Sequence, residues 1–260
     1  MKAGVGEMRE KSYDVVVCGC GVAGFCAAVA AARIGARTAV TEKYYMPGGT
    51  LTVGGNCSVD QFNNPYKAHN RQVIAGIGWE LMQRLARQGF ARIPDFDEPV
   101  RYPQQYGVKV NPIAAAAVMD EMLLQAGVTI YYGQPTVDVT VQNSPEGKKL
   151  HNIIIATKQG LCSLNAKVFI DATGDGDVSA WAGAQFEAGA QDGSFQPGTL
   201  RFYPSFSPVD QEDYVLDYGD NRNHITNMDT TDSDKLTQAN IVGRRLLMQQ
   251  LLKNRKTGDE

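Results

Sequence analysis

The chain has 260 residues, 43% of them hydrophobic, and a formal net charge of −3 at pH 7, which is enough apolar material for one large or two modest domains. The mildly acidic balance offers no basic stripe for nucleic acid and no polybasic anchor for a membrane. The first dozen residues lack the apolar core of a signal peptide, and no apolar run reaches the roughly 18 residues of a spanning helix, so a soluble, cytoplasmic protein is expected.

Residues 13–18 form an apolar strand that runs into Gly19-Cys20-Gly21-Val22-Ala23-Gly24. This G-x-G-x-x-G turn precedes an Ala-rich helix at 25–34 and a second strand that ends on Glu42. Each part suits a dinucleotide. Gly19 permits the tight turn, Gly21 lets backbone approach a pyrophosphate, and Gly24 lets helix pack close on strand. The helix N-terminus offers free N–H groups and a partial positive charge to phosphate. Glu42, 23 residues beyond Gly19, stands where a carboxylate accepts hydrogen bonds from a ribose diol. Cys18, Cys20 and Cys26 sit in or beside the turn as small packing residues, while Cys57 and Cys162 lack partners at metal-ligand spacing. No metal site is expected, and the three isolated histidines support neither a metal cluster nor a catalytic triad.

Residues 47–56 are glycine-rich and read either as backbone lying against a ligand or as a flexible surface loop. Apolar residues at three- and four-residue steps predict a helix over 66–91, followed by a Pro- and Tyr-rich stretch at 93–109 that reads as irregular or a short hairpin. Asn111 and Pro112 mark the start of a helix that ends at Gly127, with Asn111 as its N-cap. A strand at 128–132 leads into a meander of strands at 136–141, 152–157 and 161–165. Another strand at 166–170 then ends in Asp171-Ala172-Thr173-Gly174-Asp175-Gly176-Asp177. That acidic turn reads equally as the edge of a cofactor crevice or as an ordinary turn with Asp177 capping a helix at 178–182. A turn and strand at 196–203, a polar stretch at 207–235 and a helix at about 236–253 complete the chain.

The opening unit, the Gly48-Gly49 loop, the meander and the Asp171–Asp177 turn together resemble the FAD-dependent oxidoreductases of glutathione-reductase type, some of which carry the label "putative xanthan lyase". The resemblance runs over nearly the whole chain. It implies an α/β fold: a Rossmann-like FAD-binding domain at 12–60 and 110–192, with a parallel sheet and a β-meander crossover. It also implies a partial cap or substrate region at 61–109 and 193–235, and a terminal helix and tail at 236–260. Gly19, Gly21 and Gly24, with Val22 and Ala23 between them, would hold the FAD pyrophosphate. Glu42 would take the adenosine ribose, with Lys43 beside it. Gly48, Gly49 and Thr50 would approach pyrophosphate, ribityl or flavin, and Val137 would offer backbone to the adenine. Ala172, Thr173 and Gly174 would close the facing turn, with Asp177 at the cofactor.

Members of that family carry a later Gly-Asp motif, and its absence after Lys253 suggests the N-terminal portion of a longer flavoprotein. The expected chemistry is hydride transfer between an organic substrate and flavin. An NAD-dependent dehydrogenase and an inert nucleotide-binding fragment are the alternatives. No catalytic residue is assigned; Arg101, Tyr102 and Arg201 suit an anionic substrate or merely the surface. The partners expected are a small-molecule substrate and either a second copy of the chain or a missing C-terminal segment.

Overall fold

The apolar run ahead of the glycines folds as the central strand of a six-stranded sheet. The computed structural model describes residues 8–56, 58–59, 72–93, 108–145, 147–195 and 229–257. They belong to two compact units, Met1–Gln185 and Phe186–Glu260. The sheet lies in the first.

Strand β1 (Arg9–Cys18) passes through the glycine turn into helix α1 (Val22–Arg33), which returns the chain to β2 (Thr38–Glu42). β1 and β2 are parallel, with Val17 opposite Val40 and Cys18 opposite Thr41. Every residue of β2 is buried, as expected of a strand covered on both faces. Strand β3 (Ser58–Val59), helix α2 (Ile77–Arg87), strand β4 (Val108–Lys109) and helix α3 (Pro112–Gln125) follow, with β3 and β4 paired antiparallel as a separate two-stranded sheet. β5 (Thr129–Tyr132) adds beyond β2, again parallel. The chain then crosses to the other side as β6 (Thr136–Ser144), β7 (Gly147–Thr157) and β8 (Gly160–Asp171), giving the order β5-β2-β1-β8-β7-β6.

The sheet is therefore mixed: β5, β2, β1 and β8 are parallel, and β7 and β6 add antiparallel at one edge. The strands expected at 161–165 and 166–170 are a single strand. β8 pairs antiparallel with β7 through Gly160–Asn165 and parallel with β1 from Cys162 to Asp171. β1 accordingly begins at Arg9 rather than Tyr13, because a long β8 gives its exposed, charged start a partner.

Side-chain alternation divides the interior in two. Val17 and Val40 face a core shared with Phe25, Ala28 and Val29 of α1, Leu81 and Leu85 of α2, and Met119, Met122 and Leu123 of α3. Val16, Cys18 and Ala39 face the opposite side, with Ile153, Ile155, Leu164 and Val178. The expected cap segment 61–109 thus contributes α2 to the first core, while most of that segment lies outside the described residues.

The helix expected over 66–91 is shorter. Gly76 turns the chain at φ 81° immediately before Ile77, and Val73 and Ile74 stay largely exposed. Asn111 caps α3 as its sequence implies, its Oδ1 accepting from the Ile113 and Ala114 amides at 3.0 Å with Pro112 at the first helical position. In the second unit, α5 (Ser233–Thr257) starts earlier than 236 because Asp232 Oδ1 accepts from the Asp234 and Lys235 amides. The strand expected at 196–203 and the stretch 207–228 lie outside the described residues, as do Cys57, His69, Arg101, Tyr102 and Arg201. No helix among the described residues is long and apolar enough to cross a membrane.

Leu85 is fully buried where α2 meets the first core. Leu85→Ala is expected to cost about 2–5 kcal/mol, the usual range for deleting a buried leucine side chain. Urea denaturation checks this, and a loss below about 1 kcal/mol would show that α2 contributes little to the core.

Candidate functional site

The glycine turn is built around close backbone approach. Gly19 has φ 96°, a conformation that L side chains rarely adopt, and a Cβ there would run into the Ala172 carbonyl. A Cβ on Gly24 would run into the Gly19 carbonyl oxygen and press on the Ala172 side chain. The two glycines thus seat the first turn of α1 on the ends of β1 and β8. The helix begins at Val22, three residues before the start that composition suggested. Its opening residues are therefore part of the glycine motif itself.

Gly21 differs from its neighbours. Its φ of −61° is open to any residue, and a Cβ there would meet nothing within 4 Å. Conformation does not require a glycine at this position. What its missing side chain leaves open is a cleft of about 290 Å³, which Gly21 lines together with Val22 and Ala23. No side chain caps α1 at this end, so its first amides stand at the cleft with the positive end of the helix dipole.

Three further segments complete the cleft. Residues 47–56 are not a loose loop: Gly48 N–H donates to the Cys20 carbonyl at 2.7 Å, and Gly48 bridges in parallel to Gly21. Thr52 Oγ1 donates to the Pro47 carbonyl, and Leu51 is buried beneath a short 3-10 turn at Gly49–Leu51. Gly48, Gly49 and Thr50 consequently lie along one wall.

Glu42 ends β2 at the cleft, only 5% exposed. Its Oε2 accepts from the Cys20 amide at 2.8 Å and its Oε1 from the Tyr44 amide at 3.0 Å. Two backbone donors hold the carboxylate in one pose, and each oxygen keeps a lone pair for another donor.

The facing wall is the turn after β8. Ala172, Thr173, Gly174 and Asp177 line it. Asp177 is not the N-cap of helix α4 (Asp177–Trp181); that position is Gly176, in the left-handed region at φ 76°. The capping comes from further back. Thr173 Oγ1 accepts from the Gly176 and Asp177 amides at 3.0 and 3.1 Å, and Asp171 Oδ2 accepts from the Ser179 amide at 2.8 Å. Asp171 Oδ1 in turn accepts from Thr173 Oγ1 at 2.7 Å. Burial works against the Asp171 charge, yet the hydrogen bonds from Thr173 and Ser179 outweigh it and hold the carboxyl below its ordinary range. Asp177 moves the other way: burial, and then the charge of Asp175, push it up against the pull of Lys43.

Lys43 lines the cleft and lies 4.0 Å from Asp175, with both side chains about half exposed. Gly24 is not a cleft residue; it works underneath, as the packing glycine. Val137 is exposed on β6, one residue past Pro135 and Thr136, which are the cleft residues of that segment. Sequence reasoning missed those two, along with Thr41, Tyr44 and Trp181. For Trp181 a signal existed, since it stands one helical turn after Asp177.

Cys18 and Cys20 are fully buried and unpaired. Burial, and then nearby Asp171, push the Cys18 thiol up to about 12, and burial likewise raises Cys20. These are packing thiols rather than nucleophiles. Among the described residues no group of His, Cys, Asp or Glu is placed to hold a metal ion.

A family model described as FAD dependent oxidoreductase matches residues 14–257. The chain belongs to that family. Membership makes FAD the cofactor and does not favour the nicotinamide-dependent alternative that the glycine motif alone leaves open. No curated protein matches the chain in sequence.

Among solved structures, THI4 of Thermovibrio ammonificans is 18% identical with a TM-score of 0.46, over 65% of this chain and 61% of that one. A geranylgeranyl bacteriochlorophyll reductase-like protein of Thermoplasma acidophilum is 20% identical with a TM-score of 0.46, over 68% and 43%. L-proline dehydrogenase from P. horikoshii is 16% identical with a TM-score of 0.44, over 73% and 59%. The chain therefore spans less than two thirds of these structures, and at such scores the likeness carries nothing about substrate or reaction.

The residues present fit the adenosine and pyrophosphate half of FAD. The uncapped helix end and the open space over Gly21 suit phosphate, and the pinned carboxylate of Glu42 suits a ribose.

Asp171 gives this wall a pH signature. Its carboxyl is depressed in the fold, so its stabilisation is present above the unfolded value of about 4 and is lost as pH falls through the lower folded value. Asp171→Asn should destabilise the protein at neutral pH by about 1–3 kcal/mol. The gap to wild type should close as the solution is acidified below about pH 4. Thermal melts across that range decide it; a gap that stays constant with pH would show that the carboxylate charge plays no part.

Proposed function

We propose that this chain forms the cofactor-binding part of an FAD-dependent oxidoreductase that moves hydride between a small organic substrate and the flavin. One observation carries the reading most directly. Gly21 lacks a side chain where neither its backbone angles nor its neighbours forbid one, and what occupies that space in the structure is an open cleft at a helix N-terminus. Backbone left open at a helix end suits a ligand whose phosphates must touch it.

When bound, the flavin supplies the redox chemistry. The residues of this chain hold and orient. The first amides of α1 meet the pyrophosphate, Glu42 takes the ribose hydroxyls, and the Gly48–Thr50 wall approaches the remainder of the cofactor. Substrate recognition is assigned to the segments 61–109 and 193–235. A cytoplasmic location is part of the proposal, supported by the free cysteines at 18, 20, 26 and 162, which suit a reducing compartment.

Purified protein incubated with excess FAD and freed of unbound cofactor should keep flavin absorbance in the near-ultraviolet and blue. Gly21→Ala should melt as the wild type does without cofactor, yet bind FAD at least about tenfold more weakly, a loss of about 1.4 kcal/mol. Gly24→Ala should instead lower stability directly, because its Cβ meets the Gly19 carbonyl. Folded wild-type protein that retains no flavin under these conditions would overturn the proposal.

A further inference from the structure

Two large rings line the cleft, Tyr44 and Trp181, and neither is accounted for by the glycines and the carboxylate. Trp181 lines the cleft and is 46% exposed, so one face of its indole is open to whatever the cleft holds. It is the last residue of α4, four residues after Asp177, so the two project from one face of the helix onto the same cleft. α4 packs against β6, the strand that begins with the cleft residue Thr136.

The anchors fix the order of groups along a bound dinucleotide. Phosphate sits at the α1 N-terminus and ribose at Glu42, so the base lies past Glu42. That places it toward Lys43 and Tyr44 on one side and Pro135 and Thr136 on the other. We infer that Trp181 is the wall on which the adenine ring stacks, and so determines how tightly the chain holds an adenine dinucleotide. Its ring offers a flat π face, and a purine covering it removes apolar surface from both partners. The inference rests on the FAD reading but adds a residue, and a ligand edge, that the reading does not contain.

ADP tests it without flavin absorbance interfering with tryptophan emission. The chain has two tryptophans, Trp79 and Trp181, and Trp79 packs against the first core from α2. Titration of the full chain with ADP should quench emission, and the quench should vanish in Trp181→Leu. By equilibrium dialysis that variant should bind ADP and FAD about 5- to 100-fold more weakly, the usual range for a lost base–aromatic stack. Trp181→Phe should restore most of the affinity. Ribose 5-phosphate, which has neither adenine nor flavin, should leave Trp181 emission unquenched at concentrations where ADP saturates. ADP affinity unchanged in Trp181→Leu would overturn the inference while leaving FAD binding intact, and so would quenching by ribose 5-phosphate equal to that by ADP. A folded wild type that binds neither ADP nor FAD would remove the FAD reading itself, and the inference with it.

Discussion

The first unit depends on how closely the opening turn of α1 sits on the ends of β1 and β8. Gly24 lies over the Gly19 carbonyl, and Gly19 lies against Ala172, with no room for a Cβ at either glycine. Three backbone segments therefore meet without side chains between them. This contact aims the free amides of α1 past the strand ends rather than into the sheet. It also fixes the spacing between the glycine turn and the turn after β8, which become two sides of one cleft. A larger residue at either position would lift the helix, and the cleft would lose its shape before it lost its chemistry.

Glu42 joins that framework from the other side. A carboxylate only 5% exposed costs several kcal/mol in lost hydration unless it is hydrogen-bonded. Charge-assisted bonds from the Cys20 and Tyr44 amides, each worth about 1.5–3 kcal/mol, offset much of that cost. The same bonds tie the glycine turn to the end of β2. Glu42 is thus a structural tie before any ribose arrives, and its rigidity means that a ligand need not order it. A motif acid usually read only as a ligand contact serves the fold as well.

What could be read from the sequence was local. The strand, the glycine turn, the helix and the acid at the next strand end are consecutive, and each announces itself by periodicity or residue type. Asn111-Pro112 was legible as a helix start for the same reason. The rest depended on partners distant in sequence. Nothing in the sequence marks where β8 loses β7 as a neighbour while β1 continues alongside it, so one strand read as two. Val73 and Ile74 continue the apolar period of α2, but Gly76 breaks the helix by its backbone angles. Asp177 looked like a cap because acids often cap helices. Thr173 and Asp171 had already taken those amides from three to eight residues upstream. Tyr44, Thr136 and Trp181 meet at the cleft only through the β2–β5 pairing and the packing of α4 on β6.

The charges around the cleft constrain how an anionic cofactor is held. Among the described residues that line it, Lys43 is the only cation, while Glu42 and Asp177 are acidic. Lys43 is also shared: Asp175 lies 4.0 Å from its ammonium, which sits 5.6 Å from the centre of the Tyr44 ring. A pyrophosphate at this site therefore finds little attraction from side-chain charge. Its negative charge must be met by oriented amides at the helix end, which act only over short distances. Such donors reward an exact fit and forgive little displacement. That returns the burden to the glycines: the site works electrostatically because Gly19 and Gly24 set the helix where its amides can reach.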